Sequence, residues 1–71
     1  MTPDQLTAAG EALYGPGWKS AVADLLGVDY RRIKHWLDGT RPIPPIEAEI
    51  VAELRRRGKQ ALALADRLER K

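Results

Sequence analysis

The sequence predicts an all-α fold, a small domain of four to five helices of which the last is long. Apolar residues recur at spacings of three and four along most of the chain, which is the period of a helix with one buried face. Glycine and proline stand between these segments, where they end one helix and turn the chain. We expect residues 1–57 to form the folded domain and residues 58–71 to form a C-terminal helical extension.

The first helix has a distinct start and a distinct end. Thr2 is a good N-cap, Pro3 suits the first helical position, and Gln5 can complete a capping box with Thr2. The helix ends at Tyr14, because the Gly-Pro-Gly turn that follows cannot continue it. Its apolar face is formed by Leu6, Ala9 and Leu13.

Two short helices around a tight turn occupy residues 19–38, and the rest of the chain is organised around them. Val22 and Leu26 stand four apart on one face of the first of these helices. Gly27 can take the left-handed conformation that often ends a helix, and Asp29 is a suitable N-cap for a new one. The second helix therefore begins directly after Asp29.

That second helix has an apolar side and a polar side. At about 100° per residue, the apolar side holds Ile33, Trp36 and Leu37. The polar side holds Arg31, Lys34, His35 and Asp38, and the flanks hold Tyr30 and Arg32. A short helix with one anchored face and one cationic, hydrogen-bonding face suits insertion into the major groove of DNA.

The polar side supplies the side-chain types that DNA recognition uses. Arginine or lysine paired with guanine is the commonest direct contact with a base edge. We therefore predict base contacts from Arg31 and Lys34, with Tyr30 and His35 beside them. For His35 the alternative is a solvated surface position. Arg32, at the flank, is predicted to hold the phosphate backbone.

The pattern of this stretch resembles a known family. Residues 18–45 are similar to the helix-turn-helix of the phage-repressor/Cro (XRE-like) superfamily of DNA-binding proteins, in Val22, Ala23, Leu26, Gly27, Val28, Ile33 and Trp36. The later residues Gly39, Arg41 and Pro42 resemble the segment that follows the recognition helix in many members. The resemblance implies that Lys19, where many relatives place a glutamine, contacts a DNA phosphate, less directionally than glutamine does.

The loop after the second helix, DGTRPIPP, is too rich in glycine and proline to be helical. Such a loop would pass the DNA backbone, so we predict that Arg41 contacts a phosphate. The alternative is an ordinary solvated arginine. Trp18, at the start of the helix before the turn, is expected to be a core anchor on the first helix and on Trp36. Its alternative is a partly exposed indole near the DNA backbone.

The last helix, predicted from Pro45 to Arg70, contains a glycine that admits two interpretations. Three arginines followed by Gly58 are typical of a helix end, since cations and glycine both favour that position. Against this, apolar and small residues continue through the glycine at alternating spacings of three and four, which is a heptad seam. We favour one long helix, with the seam formed by Val51, Leu54, Gly58, Ala61, Ala65 and Leu68.

The distal part of this helix is predicted to make a homodimer. A domain of this size buries only about 60% of the surface of its unfolded chain, so its stability as a monomer is marginal. The part from Ile46 to Leu54 would close the core, and the part from Ala61 onwards would protrude. The alternative is that the distal part folds back as a fifth helix. The predicted dimerisation residues are Leu54, Gly58, Ala61, Leu62, Ala65 and Leu68.

The composition excludes several classes of function. With no cysteine and one histidine, the chain can form neither a disulfide nor a thiolate metal site. No constellation of residues supports catalysis, so we expect no enzyme, no cofactor and no small-molecule substrate. No apolar run approaches the roughly 20 residues that span a membrane, and the N-terminus lacks the regions of a signal peptide. We expect a cytoplasmic protein, nucleoid-associated when bound to DNA.

The distribution of charge favours double-stranded DNA as the partner. The net charge is only +2, but residues 30–41 carry four basic side chains against one acid, and residues 42–54 carry three acids and no base. We therefore predict a sequence-specific transcriptional regulator, a repressor that binds an inverted-repeat operator as a homodimer. The alternatives are a protein-interaction module, such as an antitoxin or adaptor, and a nonspecific architectural DNA binder that uses the second basic cluster, Arg55, Arg56, Arg57 and Lys59.

Overall fold

A computed structural model describes residues 1–70, and Lys71, the last residue of the predicted extension, lies outside them. The described residues contain no strand, so the all-α class is confirmed. A one-turn 3-10 helix at Gly15–Gly17 connects the first two α-helices. The α-helices are α1 (Pro3–Tyr14), α2 (Trp18–Leu26), α3 (Tyr30–Asp38) and α4 (Glu47–Glu69).

The predicted start of α1 is confirmed in detail. Thr2 has extended backbone and its hydroxyl oxygen accepts a hydrogen bond from the Gln5 backbone N–H at 3.1 Å. The Gln5 side-chain oxygen in turn accepts from the Thr2 backbone N–H at 2.9 Å, which completes the capping box. Pro3 occupies the start of the helix, where its missing N–H is not needed.

Trp18 is the anchor between α1 and α2, with only 4% of its surface exposed. Its ring lies directly against Gly10 in the middle of α1, so close that a Cβ atom on Gly10 would stand 2.1 Å from Trp18 Cε3. The interpretation of Trp18 as a core residue is therefore confirmed, and the alternative of an indole near DNA is wrong. The role of Gly10, which lets the two helices approach, did not emerge from the sequence pattern.

The turn between α2 and α3 has the expected geometry. Gly27 is left-handed with φ of 68°. Its N–H donates to the carbonyl oxygen of Asp24 at 3.2 Å, and the N–H of Val28 donates to that of Ala23 at 3.0 Å. These two bonds form a Schellman motif, which satisfies the last carbonyl groups of α2. Val28 then packs back onto the core.

The core lies between all four helices and is closed by the first turns of α4. Ile46 and Ile50 are buried there, while Val51 on the next face is exposed. The main cluster of buried residues comprises Leu6, Trp18, Val22, Ala23, Ile33, Trp36, Ile46 and Ile50. The proximal part of α4 therefore completes the hydrophobic core.

The start of α4 differs from the prediction by two residues. The helix begins at Glu47, not at Pro45, and Ile46 occupies the N-cap position without a side-chain hydrogen bond. The N–H of Ile46 donates to the carbonyl oxygen of Pro44 at 2.8 Å, so the chain is still turning at Pro45. Burial of the Ile46 side chain in the core sets this boundary, which the preference of proline for a first helical position did not anticipate.

Beyond the core, α4 continues as one helix through Gly58 to Glu69. The preference for a continuous helix is confirmed, and no fifth helix folds back within residues 1–70. The described chain measures 50 × 21 × 21 Å, because the distal part of α4 projects from the domain. Every residue from Arg55 to Arg70 is exposed, including Leu62 at 69% and Leu68 at 57%.

An electrostatic cluster fastens the middle of α4 to the end of α1. The carboxylate of Glu53 accepts two hydrogen bonds from Arg56, from Nε at 2.7 Å and from Nη2 at 2.8 Å. The Tyr14 hydroxyl donates to Glu53 Oε2 at 3.4 Å, and the guanidinium of Arg57 lies 4.6 Å from the centre of the Tyr14 ring. The hydrogen bond from Arg56 is the main reason that the pKa of Glu53 falls from 4.5 to about 2.

This lowered pKa predicts acid sensitivity. Because the folded-state pKa of Glu53 lies below its unfolded value, the carboxylate stabilises the fold above pH 4.5, and this stabilisation is lost as the pH falls towards about 2. We expect the free energy of unfolding, measured with urea, to decline across that interval. Glu53→Gln should show a flatter decline, whereas Glu49→Gln, an exposed change on the same helix, should keep the wild-type profile. Equal profiles for wild type and Glu53→Gln would contradict the prediction.

No helix within residues 1–70 combines the length and apolar character that a membrane crossing requires.

Candidate nucleic-acid interface

The helix α3 is anchored on one side and open on the other. Ile33 is fully buried and Trp36 nearly so, and together they fix the rotation of the helix on the core. The N-cap is Asp29, whose Oδ1 accepts a hydrogen bond from the Arg31 backbone N–H at 2.8 Å. The residues that remain exposed include Tyr30, Arg31, Arg32 and Lys34, and His35 is partly buried.

The loop after α3 turns back along the helix. Gly39 ends the helix in a left-handed conformation with φ of 82°. The carboxylate of Asp38 accepts hydrogen bonds from both the backbone N–H and the hydroxyl of Thr40, and the hydroxyl bond is the main cause of a lowered Asp38 pKa. The N–H of Arg41 then donates to the carbonyl oxygen of His35 at 3.3 Å. This bond holds Arg41 beside α3.

Four of the predicted DNA-contacting residues meet at one place as a result. Arg31, Arg32, His35 and Arg41 line a shallow open pocket of about 240 Å³, together with Asp29. A second shallow pocket of about 280 Å³ adjoins it through shared Arg32 and Arg41, and its floor is Trp36 with Pro42 and Pro44. We call the surface formed by Arg31, Arg32, His35 and Arg41 the basic face. Three guanidinium groups on an open surface create a positive potential that attracts phosphate.

Asp29 is the acidic member of this arrangement, and the sequence pattern predicted only its capping role. Arg31 Nε donates to Asp29 Oδ1 at 3.4 Å, between side chains that are both largely exposed. The pKa of Asp29 is lowered mainly by the backbone hydrogen bond from Arg31 and next by this side-chain bond. An exposed pair of this kind contributes little, less than a good contact with a base edge does. Asp29 can therefore orient Arg31 while leaving its guanidinium available for a stronger contact.

The other predicted contacts lie apart from the basic face. Tyr30 and Lys34 are exposed on α3 but do not line either pocket. Lys19 is exposed in the first turn of α2, on a different helix. These three residues would therefore extend a contact surface beyond the pocket, with Lys34 on the same helix as Arg31.

The second basic cluster is arranged differently from the first. Arg56 and Arg57 both bond Glu53, and Arg57 stacks on Tyr14, so these two guanidinium groups are engaged within the domain. The contacts that join α4 to α1 are those of Arg57 and Glu53 with Tyr14. Arg56 and Arg57 are therefore less able than Arg32 and Arg41 of the basic face to bind phosphates.

The predicted dimerisation residues divide into two groups. Leu54 is partly buried and packs against the core, so it serves the domain itself. The other five lie on the projecting part of α4 and are exposed: Gly58, Ala61, Leu62, Ala65 and Leu68.

Neither a metal site nor a similarity to known proteins assigns a function to the described residues. No group of three or more potential metal ligands comes together within residues 1–70. No protein-family model, curated protein or solved structure matches the chain. The functional interpretation therefore depends on the geometry of α3, the loop after it and the exposed end of α4.

Proposed function

We propose that the chain is a sequence-specific DNA-binding transcriptional regulator, a repressor that binds an inverted-repeat operator as a homodimer. The observation that carries the proposal is the basic face, where Arg41 returns beside Arg31, Arg32 and His35 on the open side of an anchored short helix. With the Schellman turn before α3, this arrangement suits a helix-turn-helix whose second helix would read DNA. The resemblance of residues 18–45 to the phage-repressor/Cro superfamily supports the same function.

The dimensions of the parts suit this mode of binding. An α-helix with its side chains is about 10–12 Å across, and the major groove of B-DNA is about 12 Å wide. With α3 in the groove, Arg31 and Lys34 would face base edges, with Tyr30 and His35 beside them. Arg32, Arg41 and Lys19 would reach the phosphates on either side. Phosphate contacts position the protein, and base contacts supply its specificity.

Repression would work by occlusion. A domain that covers promoter DNA excludes other proteins from it, and its occupancy follows its concentration in the cytoplasm. The chain would be bound to the nucleoid when active. Neither a cofactor nor a catalytic step is part of this mechanism.

The test is the selection of bound sequences from random double-stranded DNA by the full chain. We expect an enriched inverted repeat, and affinity for it that exceeds the affinity for random DNA by about 10³-fold or more. Equal affinity for enriched and random DNA would favour the architectural binder. Absence of DNA binding, together with capture of a different protein through α4, would favour the interaction module.

Arg31 is predicted to read a base. Arg31→Ala should relax the preference at one base position per half-site, with a loss of discrimination of about 1–3 kcal/mol, because a bidentate contact with guanine is removed. The measurement is a repeat of the selection with the variant. The matched control is Arg32→Ala on the same helix, which should weaken binding to all sequences alike. Uniform weakening by Arg31→Ala as well would make Arg31 a phosphate contact and contradict this assignment.

Arg41 is predicted to hold a phosphate. Each neutralised phosphate contributes about −0.9 to the slope of log affinity against log salt concentration. Arg41→Ala should therefore flatten that slope by roughly one unit per half-site and leave the preferred sequence unchanged. Lys59→Ala, which removes an exposed charge from the projecting part of α4, is the control and should keep the slope. An unchanged slope for Arg41→Ala would make this residue a solvated arginine.

A further inference from the structure

The projecting part of α4 presents a surface that nothing in residues 1–70 covers. Its three leucines are exposed, with Leu62 at 69%, Leu64 at 54% and Leu68 at 57%. The heptad seam runs through Gly58, Ala61, Ala65 and Leu68. Leu62 flanks the seam on one side, and Leu64 flanks it on the other. Three exposed leucines on one projecting helix indicate a partner, and the order of residues along the helix indicates which partner and which orientation.

A parallel pair of these helices would pack poorly. Identical residues face each other in a parallel pair, so Gly58, Ala61 and Ala65 would each meet their own copy. Three successive layers would then contain only small side chains and bury little apolar area. Leu62 and Leu64 would stand beside charged residues, because the partner positions at the flanks would be Arg57 and Glu69.

An antiparallel pair centred at Ala63 places the same residues in complementary positions. Leu68 would pack over Gly58 of the partner subunit, where the missing side chain leaves room for it. Ala61 would face Ala65 of the partner subunit and allow a close approach at the centre. In the single chain, a Cβ atom on Gly58 would meet nothing within 4 Å, so the space beside this glycine is open to a partner.

The residues that flank the seam also pair favourably in the antiparallel arrangement. Arg55, Leu62 and Glu69 follow one another at intervals of seven on one side of the seam. In an antiparallel pair, Leu62 would contact Leu62 of the partner subunit. Arg55 would contact Glu69 of the partner subunit. Leu64 meets its own copy on the other flank. Within residues 1–70, neither Arg55 nor Glu69 forms an ion pair, so both charges are available for this contact.

We infer that a second copy of the chain covers this surface, paired in antiparallel orientation about a two-fold axis at Ala63. The inference rests on the homodimer of the proposed function and adds its orientation and register. Ile50, where α4 enters the core, lies 13 residues from the axis, so at 1.5 Å per residue the two domains would be held roughly 40 Å apart. This separation is close to the 34–36 Å between successive half-sites on one side of DNA.

The first test measures distances between spin labels, for which the absence of cysteine in the chain is convenient. Ala48→Cys carries a label on an exposed site of the proximal part of α4, 15 residues from the axis. The labelled dimer should give a distance of roughly 45 Å, against less than about 20 Å for a parallel pair. Ala63→Cys, labelled at the axis on the side away from the seam, is the control and should give a short distance in either orientation. A short distance at Ala48, or no interaction at Ala63, would overturn the inference.

The second test exchanges the flanking charges. Arg55→Glu and Glu69→Arg should each raise the dimer dissociation constant about three- to tenfold, because like charges would then face each other. The combined variant should return to within about twofold of wild type, since only antiparallel pairing joins these two residues. Failure of the combined variant to recover would overturn the register.

These outcomes are separable from those of the proposed function. A parallel dimer that selects a specific inverted repeat would contradict the orientation and leave the DNA-binding function intact. Labels roughly 45 Å apart, in a protein that shows no DNA preference, would contradict the function and leave the pairing intact.

Discussion

Leu62→Glu is expected to abolish tight binding to the full operator and to leave the folded domain unchanged. Leu62 is 69% exposed in the single chain, so its replacement removes no contact within the domain. In the proposed dimer two glutamates would instead face each other across the helix pair. Linking two binding units strengthens binding by about 10²- to 10⁴-fold over one unit, and this gain is lost when the link fails. We expect operator affinity to fall by that factor.

The measurement combines mass in solution with binding to full and half operators. The variant should be monomeric, bind the half operator as wild type does, and retain its unfolding transition. Ala63→Glu is the matched control, because it adds the same charge to the same segment on the side of the helix away from the seam. If Leu62→Glu stayed dimeric and bound the full operator tightly, the dimer interface would lie elsewhere.

Gly10→Ala is expected to destabilise the domain strongly. The added methyl group would stand 2.1 Å from Trp18 Cε3 and 2.3 Å from Trp18 Cδ2, and a buried indole ring cannot move aside as a flexible side chain can. Overpacking of a core costs about 1–3 kcal/mol, and the higher helix propensity of alanine offsets up to about 1 kcal/mol. We expect a net loss of about 2 kcal/mol, which is a large share of the roughly 4–11 kcal/mol typical of a chain this size.

Urea and thermal unfolding of the variant would measure this loss, which corresponds to a decrease in Tm of about 10 °C. Gly17→Ala is the control. Gly17 has a φ of −89°, which alanine also adopts, and a Cβ atom there would meet nothing within 4 Å. This control should be neutral or slightly stabilising, since alanine restricts the unfolded chain. Unchanged stability of Gly10→Ala would mean that α1 and α2 can separate without cost.

The amino-acid sequence by itself determined the local features of this protein. The capping box of α1, the glycine turn at Gly27 and the N-cap at Asp29 each involve residues only a few positions apart, so the pattern of residue types is sufficient to predict them. The anchored side of α3 follows from helical periodicity for the same reason. The continuity of α4 through Gly58 followed from the heptad spacing, which outweighed the usual preference of glycine for a helix end.

Only the tertiary structure decided the features that join distant residues. The contact of Gly10 with Trp18, the return of Arg41 to His35 and the hydrogen bond from Tyr14 to Glu53 depend on how the elements cross. Residue type alone does not place a particular glycine under an indole ring, nor an arginine of a loop beside a helix. The start of α4 shows the same limit, because burial of Ile46 in the shared core, and not the local preference of Pro45, sets where the helix begins.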